Sequence, residues 1–464
     1  MKNWLAGLGV LGAALTLPAL AFAADGPDNV TLGASADAIW VFLASVLVIL
    51  MQGGFALLET GATRMKNAGH VAGKTILTFG ICALAFWAFG FGIAFGDGNS
   101  FIGTTGFFMD GMDSTVFASL AYSTVPISIK FLFQVAFAGV SLAIVWGGFA
   151  ERGKLSVYFI FGALYTIFVY PVVAHWIWGG GWLGTGDNIA QDFAGSTVVH
   201  LQGATAALVA TILLKPRLGK FNKDGSPNLI PGHNQVYSVL GVILLLVGWF
   251  GFNPGSTLGA MSPELFGFVA FNTLIAACAG GVAAMVVSWI YFGKADITSM
   301  LNGVLAALVA ITASCAYVEA WGAFVIGLVA GVVTFFTAQW IEKFRVDDPI
   351  FAFSVHGVAG IWGTLSTGLF ASGALIEKFA LFGQSGLFYG GGLHQLGVQA
   401  IGVFSAMAYV IVVSGIILYV IKLTIGLRVT EEEEVVGLDL SEHGSYGYPE
   451  QMKASSTPAS GLSK

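Results

Sequence analysis

Asp192 to His200 reads DFAGSTVVH and Asp348 to His356 reads DPIFAFSVH, so twice in the chain an acid stands eight residues before a histidine preceded by valine. A neutral imidazole carries one donor and one acceptor, and two such rings bonded to each other fix their tautomers and leave apolar ring edges free. That surface suits a small neutral molecule able to make weak hydrogen bonds. It suits a hydrated metal ion poorly, because that ion needs carboxylates or carbonyls. Aromatic side chains accompany the histidines: Phe133 and Phe137 beside Gln134, Trp178 in the turn WGGGW, and Trp249 and Phe252 with Asn253 and Ser256 in GWFGFNPGS. An aromatic face attracts a cation by about 0.5–2 kcal/mol. Taken singly, each phenylalanine reads as packing and each tryptophan as an interfacial belt residue.

These residues must be positioned by elements inside a bilayer. Of 464 residues, 56% are hydrophobic and 9% charged, against roughly 25% charged in soluble domains. An ordinary soluble enzyme is excluded, and no basic stripe points to nucleic acid. Apolar runs long enough for a hydrocarbon core of about 30 Å recur at 36–58, 75–95, 126–149, 155–177, 197–214, 235–253, 265–292, 298–316, 321–340, 354–371 and 397–425. The 64 glycines fit close helix packing. Cys82, Cys278 and Cys315 lie in apolar segments without metal-like spacing and read as small buried hydrophobes. Residues 1–23 have a basic start, a short apolar stretch and an Ala-x-Ala site, the pattern of a signal peptide cut after Ala23. Basic clusters follow the odd-numbered spans, such as Arg64 and Lys66, Arg152 and Lys154, and Lys343 and Arg345. The positive-inside rule then predicts an N-terminus outside and a C-terminus inside, with eleven spans.

His200 opens the fifth span running inward, and His356 opens the tenth running outward. The expected architecture is therefore all-α, with five spans and five of opposite orientation as an inverted repeat plus one extra helix. Eight residues of helix would place each histidine about 12 Å from its own face, and half the core is about 15 Å. Both rings would meet near the midplane. His70, His233 and His443 fall in loops or the tail, and His175 and His394 lie near the outer face. The two deep histidines can be read as a hydrogen-bonded packing pair, but their equivalent positions favour a shared path for solute.

The run DFAGSTVVHLQGATAALVATILLKPR, from Asp192 to Arg217, resembles the signature of the ammonium transporter (Amt/MEP/Rh) family, in its bacterial Amt form. Further matches are Met65-Lys66-Asn67, Phe133-Gln134, Ala150-Glu151-Arg152, GWFGFN at 248–253, RVDDP at 345–349, VHG at 355–357, GLRV at 426–429, GLD at 437–439 and HG at 443–444. The resemblance implies a homotrimer with one pore per subunit, embedded in the bacterial inner membrane. It implies an outer ammonium-recruiting site at Phe137, Trp178 and Ser256, a gate at Phe137 and Phe252, and a pore lined by His200, His356 and Trp249. Asp192 would buttress the outer vestibule. The chain departs from the family pattern at Phe351, where many relatives carry an acid, and at Ser445, where they often carry Glu. Pro254 is expected to bend the sixth helix beside Ser256.

The resulting division is a signal peptide at 1–23, a transport domain at 24–427 and a cytoplasmic tail at 428–464. The resemblance implies ammonium uptake by deprotonation, ammonia passage and net proton transfer, without a cofactor. A regulatory protein of the PII type could dock on the family-like part of the tail. Two other readings are an ammonium sensor and a neutral ammonia channel of the Rh kind; Trp178 argues against the second. An enzyme lacks parts, since no nucleophile–base set, metal cluster or phosphate loop appears at plausible spacing.

Overall fold

The computed structural model describes residues 29–112 and 115–451, so the expected signal peptide lies outside the described residues. Those described are helical and irregular, with isolated β-bridges but no strand. Ten helices are long and apolar enough to cross a membrane, or eleven if one bent pair counts as a span. They are α1 Asn29–Ala62, α2 Met65–Phe95, α3 Ile127–Gly147, α4 Leu155–Ile177, α5 Ser196–Leu214, α6 Gln235–Thr257, α7 Pro263–Phe292, α8 Ile297–Ser314 and α9 Ala320–Phe344. The bent pair is α10 Phe353–Phe370 with α11 Gly373–Phe379, which turn through 92°, and α12 His394–Thr424 follows. Two short helices, α13 Glu431–Val436 and α14 Leu438–His443, form the tail.

Packing neighbours close a circuit: α1 lies against α3, α3 against α5, α5 against α12, α12 against α10, α10 against α8, α8 against α6, and α6 against α1. Large apolar side chains such as Leu84 and Ile290 point outward, as a lipid-facing surface requires. Without a hydrophobic force between helices in lipid, close backbone approach must hold them together. A Cβ on Gly241 would lie 2.4 Å from the Leu58 amide nitrogen, and one on Gly327 would lie 2.2 Å from the Ala276 carbonyl. Those two glycines therefore admit α6 to α1 and α9 to α7.

The second span differs from its expected 75–95 by starting at Met65, which places His70 within α2 and buries it. Polar residues lower the hydropathy of its first turns, and they can be buried because they have partners inside the protein. His70 Nδ1 lies 3.1 Å from His443 Nε2 of the tail, and Lys74 Nζ lies 2.5 Å from Glu59 Oε2 of α1. Cys278 is also corrected: it is exposed on α7, whereas Cys82 and Cys315 are buried. Breaks in the helices have local causes. Pro254 has no N–H and ends regular helix at Phe252, leaving one tighter turn from Pro254 to Thr257. Pro171 follows a widened π turn at Tyr165–Val169.

The tail docks on the end where α1 meets α2. Asp439 accepts the amides of Gly69 and His70, and Lys66 Nζ donates to the carbonyls of Glu434 and Val435 at 2.6 and 2.7 Å. Beneath it, Glu151 receives Arg64, Asn67 and Arg217, and Arg217 also forks onto both oxygens of Asp347 at 2.9 Å each. Burial opposes the charge on Glu151, but Arg217 and Arg64 outweigh it and hold the carboxyl down at about 2. Burial likewise opposes the charge on Asp347, and Arg217 holds its carboxyl at about 2.

Candidate functional site

The two acid-to-histidine segments adopt the same local structure. Gly195, at φ +115°, makes the left-handed turn from which α5 starts. Asp192 then accepts four amides across the helix start: Gly195 and Ser196 on Oδ1, Thr197 and Val198 on Oδ2, at 2.8–3.0 Å. Asp348 does the same for α10 through Ala352 and Phe353, at 2.8 and 2.9 Å. These are the donors a helix start leaves without intrahelical partners. Burial pushes both carboxyls up to about 6, against the amides that favour their charge. The acid expected five residues before the second histidine is Phe351 here, with φ +62°, and Asp348 supplies the cap.

Helix therefore begins at Ser196 and Phe353, four and five residues after the acids, so acid and histidine are not joined by one continuous helical rise. Each segment instead opens as a wider π turn, Ser196–Leu201 and Phe353–Val358, with the histidine inside it. The rings still meet. His200 Nδ1 lies 3.2 Å from His356 Nδ1, with the rings 17° from parallel. One nitrogen donates and the other accepts, which assigns opposite tautomers to the two rings. His200 Nε2 is buried and has no hydrogen-bond partner in the protein.

From the histidines a column of rings leads to the face opposite the tail. His200 stacks on Trp249 at 5.1 Å between centroids and tilts against Phe252 at 5.4 Å. Trp249 is held by its Nε1–H, which donates to Thr312 Oγ1 of α8 at 2.9 Å. Phe252 stacks on Phe137 at 4.0 Å and 17°, and Phe137 meets Trp178 edge-on at 6.1 Å. Trp178 Nε1–H donates to the Asp192 carbonyl at 2.7 Å, so the acid that caps α5 also fixes the outermost ring. Ser256 lies in the turn after Phe252 and donates its hydroxyl to the Phe252 carbonyl at 2.8 Å, leaving oxygen lone pairs free to accept. The structure thus brings together Phe137, Trp178, Trp249, Phe252, His200 and His356, with Asp192 supporting them. Phe133 packs on Phe137 at 4.5 Å as a buttress.

Toward the tail, the sequence reading missed Phe55 and Glu59. The Phe55 ring lies 6.4 Å from His356. Phe55, Glu59, Asn302 and His356 share a cavity of about 20 Å³, room for one molecule the size of water. The available signal was an acid four residues after a phenylalanine in an otherwise apolar helix, which puts both on one face. Among the described residues, no group of three or more histidines, cysteines or acids is arranged to hold a metal.

The family model described as the Ammonium Transporter Family matches residues 39–448. The chain is 40% identical to the ammonium transporter Amt2 of Archaeoglobus fulgidus, over 89% of this chain and 88% of that one. It is 37% identical to an ammonium transporter of Bacillus subtilis, covering 90% and 99%. Among solved structures, one described as a sensor Amt protein matches at 35% identity and a TM-score of 0.82, covering 89% and 99%. Candida albicans Mep2 matches at 30% identity and a TM-score of 0.81, covering 91% and 92%. With a helical membrane architecture and a matching sequence across nearly its whole described length, this chain belongs to the ammonium transporter family.

Proposed function

We propose that the chain takes up ammonium by recruiting the ion at Trp178, Phe137 and Ser256, removing its proton, and passing ammonia along His200 and His356. The observation that carries this is the continuous column from Trp178 through the stacked Phe137 and Phe252 to a histidine pair in which His200 Nε2 is buried and unpaired. Trp178 and Phe137 offer rings to a cation, and Ser256 offers an acceptor. The stacked phenylalanines turn their faces to each other and carry no oxygen or nitrogen to replace the ion's water, so moving the intact ion past them incurs much of the desolvation cost of a buried charge. Deprotonation costs less: ammonium loses its proton about two pH units above neutral, which is roughly 3 kcal/mol at pH 7. Ammonia can then use His200 Nε2 as a hydrogen-bond partner. Net proton transfer would make uptake electrogenic, with the histidines in the proton route.

The basic residues Arg64, Lys66, Arg152, Lys154, Arg217 and Arg428 gather on the tail-bearing end, which we assign to the cytoplasm by the positive-inside rule. The column's outer end then faces the periplasm across the inner membrane. The matching caps and π turns at Asp192 and Asp348 support the inverted five-plus-five repeat. A homotrimer and a PII-type partner on the tail face complete the reading. The sensor alternative has support in the likeness to the sensor Amt protein. Currents from reconstituted protein decide between them: the proposal expects ammonium-dependent current in wild type and its loss or strong reduction in Trp178→Leu, His200→Ala and His356→Ala. Wild-type activity that survives in all three variants overturns the site, and a wild type without current overturns electrogenic uptake.

A further inference from the structure

Glu59 and Lys74 are both buried within the helical core, joined through one carboxylate oxygen, Oε2. Lys74 also lies over the Tyr158 ring, 5.9 Å from its centroid. A buried acceptor without a partner costs free energy, so a bare carboxylate oxygen that faces open volume is a place for a donor. Glu59 Oε1 is buried and takes no hydrogen bond from the protein. The residue lines the small cavity it shares with His356, Phe55 and Asn302, whose other walls include Leu58, Ile144 and Val355. Phe55 and Glu59 are one helical turn apart on α1, so a molecule leaving the His356 ring edge meets Phe55 and then the carboxylate.

We propose that Glu59 Oε1 is an exit-side binding site for a small N–H donor, namely ammonia, ammonium or methylammonium. This rests on the reading of His200 and His356 as the path. The carboxylate accepts an N–H hydrogen bond at the first point beyond the histidines where a strong acceptor faces open volume. Lys74 has a second role there. By neutralising the carboxylate it keeps the site from holding a cation as tightly as a lone buried acid would, which favours release toward the tail-bearing face.

The test is methylammonium uptake into proteoliposomes by the full chain, with melting midpoints measured in detergent. In Glu59→Leu/Lys74→Met the pair is replaced by apolar groups of similar size, an exchange that buried ion pairs often tolerate. The proposal expects a midpoint close to that of wild type and an initial uptake rate at least tenfold lower. Uptake within twofold of wild type at that stability overturns it, since a structural tie alone would give that result. If this variant fails to fold, Glu59→Gln/Lys74→Met retains a neutral acceptor and nearly the native shape. Uptake within threefold of wild type in that variant supports the acceptor role, and its complete loss in a folded protein overturns it. His356→Ala, measured alongside, separates the two proposals. Uptake indifferent to His356 defeats the path and this site together, whereas uptake that needs His356 but not Glu59 defeats only the exit site.

Discussion

Replacing Asp192 should damage the outer half of the site more than any single ring substitution, because four amides depend on one carboxylate. An ordinary N-cap satisfies one or two donors, and its loss costs about 0.5–2 kcal/mol. Here Gly195, Ser196, Thr197 and Val198 are all buried, so Asp192→Ala leaves four donors without water or protein to replace the acid. At the low end of about 1 kcal/mol for each unsatisfied buried donor, the cost is about 4 kcal/mol. That is a large share of the roughly 5–15 kcal/mol by which folded domains are stable. Asp192→Asn keeps one acceptor oxygen for two of the amides and turns an NH2 toward the other two, so about half the cost is expected, ~2 kcal/mol. Function should fall with it, because the Trp178 indole bonds the Asp192 carbonyl and His200 lies in the π turn that the carboxylate caps. Denaturant titration in detergent gives the stabilities, and methylammonium uptake gives the function. The order wild type, Asn, Ala is expected in both, with at least a tenfold loss of uptake for Ala. An alanine variant within 1 kcal/mol of wild type and within twofold of its uptake would refute the reasoning.

Two further outcomes are expected. Phe252→Ala removes a fully buried ring stacked on Phe137; it should cost about 3–5 kcal/mol and admit a potassium current absent from wild type, so an ion-tight variant of normal selectivity would show that the stacked pair is not the barrier. Glu151 and Asp347 have carboxyls held at about 2 in the folded protein, below unfolded values near 4. Their contribution, up to about 3 kcal/mol each, is present above about pH 4.5 and lost as the pH falls toward 2. Asp192 and Asp348, held at about 6 in the fold, act in the opposite sense and add stability as the pH falls from about 7 to 4. The melting midpoint in detergent should therefore rise over that range and fall below about 4, and a midpoint that does not fall between about pH 4 and 2 would count against the network.

Much of the architecture was legible because a membrane span must be both long and apolar, and no other constraint writes that pattern so plainly. The histidine pair was legible for a related reason: ionisable residues are rare in such runs, and an acid eight residues before each histidine marked two equivalent positions. Its vertical placement was read from a wrong premise. A straight helical rise ignores that a capping acid must sit outside the helix it caps, and Asp192 and Asp348 each hold a turn of irregular chain before their π turns begin. The start of α2 was hidden for the opposite reason. His70 and Lys74 lower the hydropathy of a buried segment, and nothing nearby in sequence announces that His443 and Glu59 face them.

Glu59 shows why the inner half of the site was the harder one to read. The outer half is written in local motifs, WGGGW and GWFGFN, and a motif can be recognised before its contacts are known. The inner cavity is assembled from α1, α3, α8, α10 and the chain just before α10, each giving two or three residues of ordinary type. A lone glutamate near the end of an apolar helix reads as the edge of a span, and only its depth, its lysine and its bare oxygen distinguish it. A hydropathy plot penalises a buried charge whether or not it is paired, so it draws the boundary of the membrane helix at the residues where function enters the core. In this chain that places the apparent end of the first span at Leu58, one residue before the acid that lines the cavity beside His356.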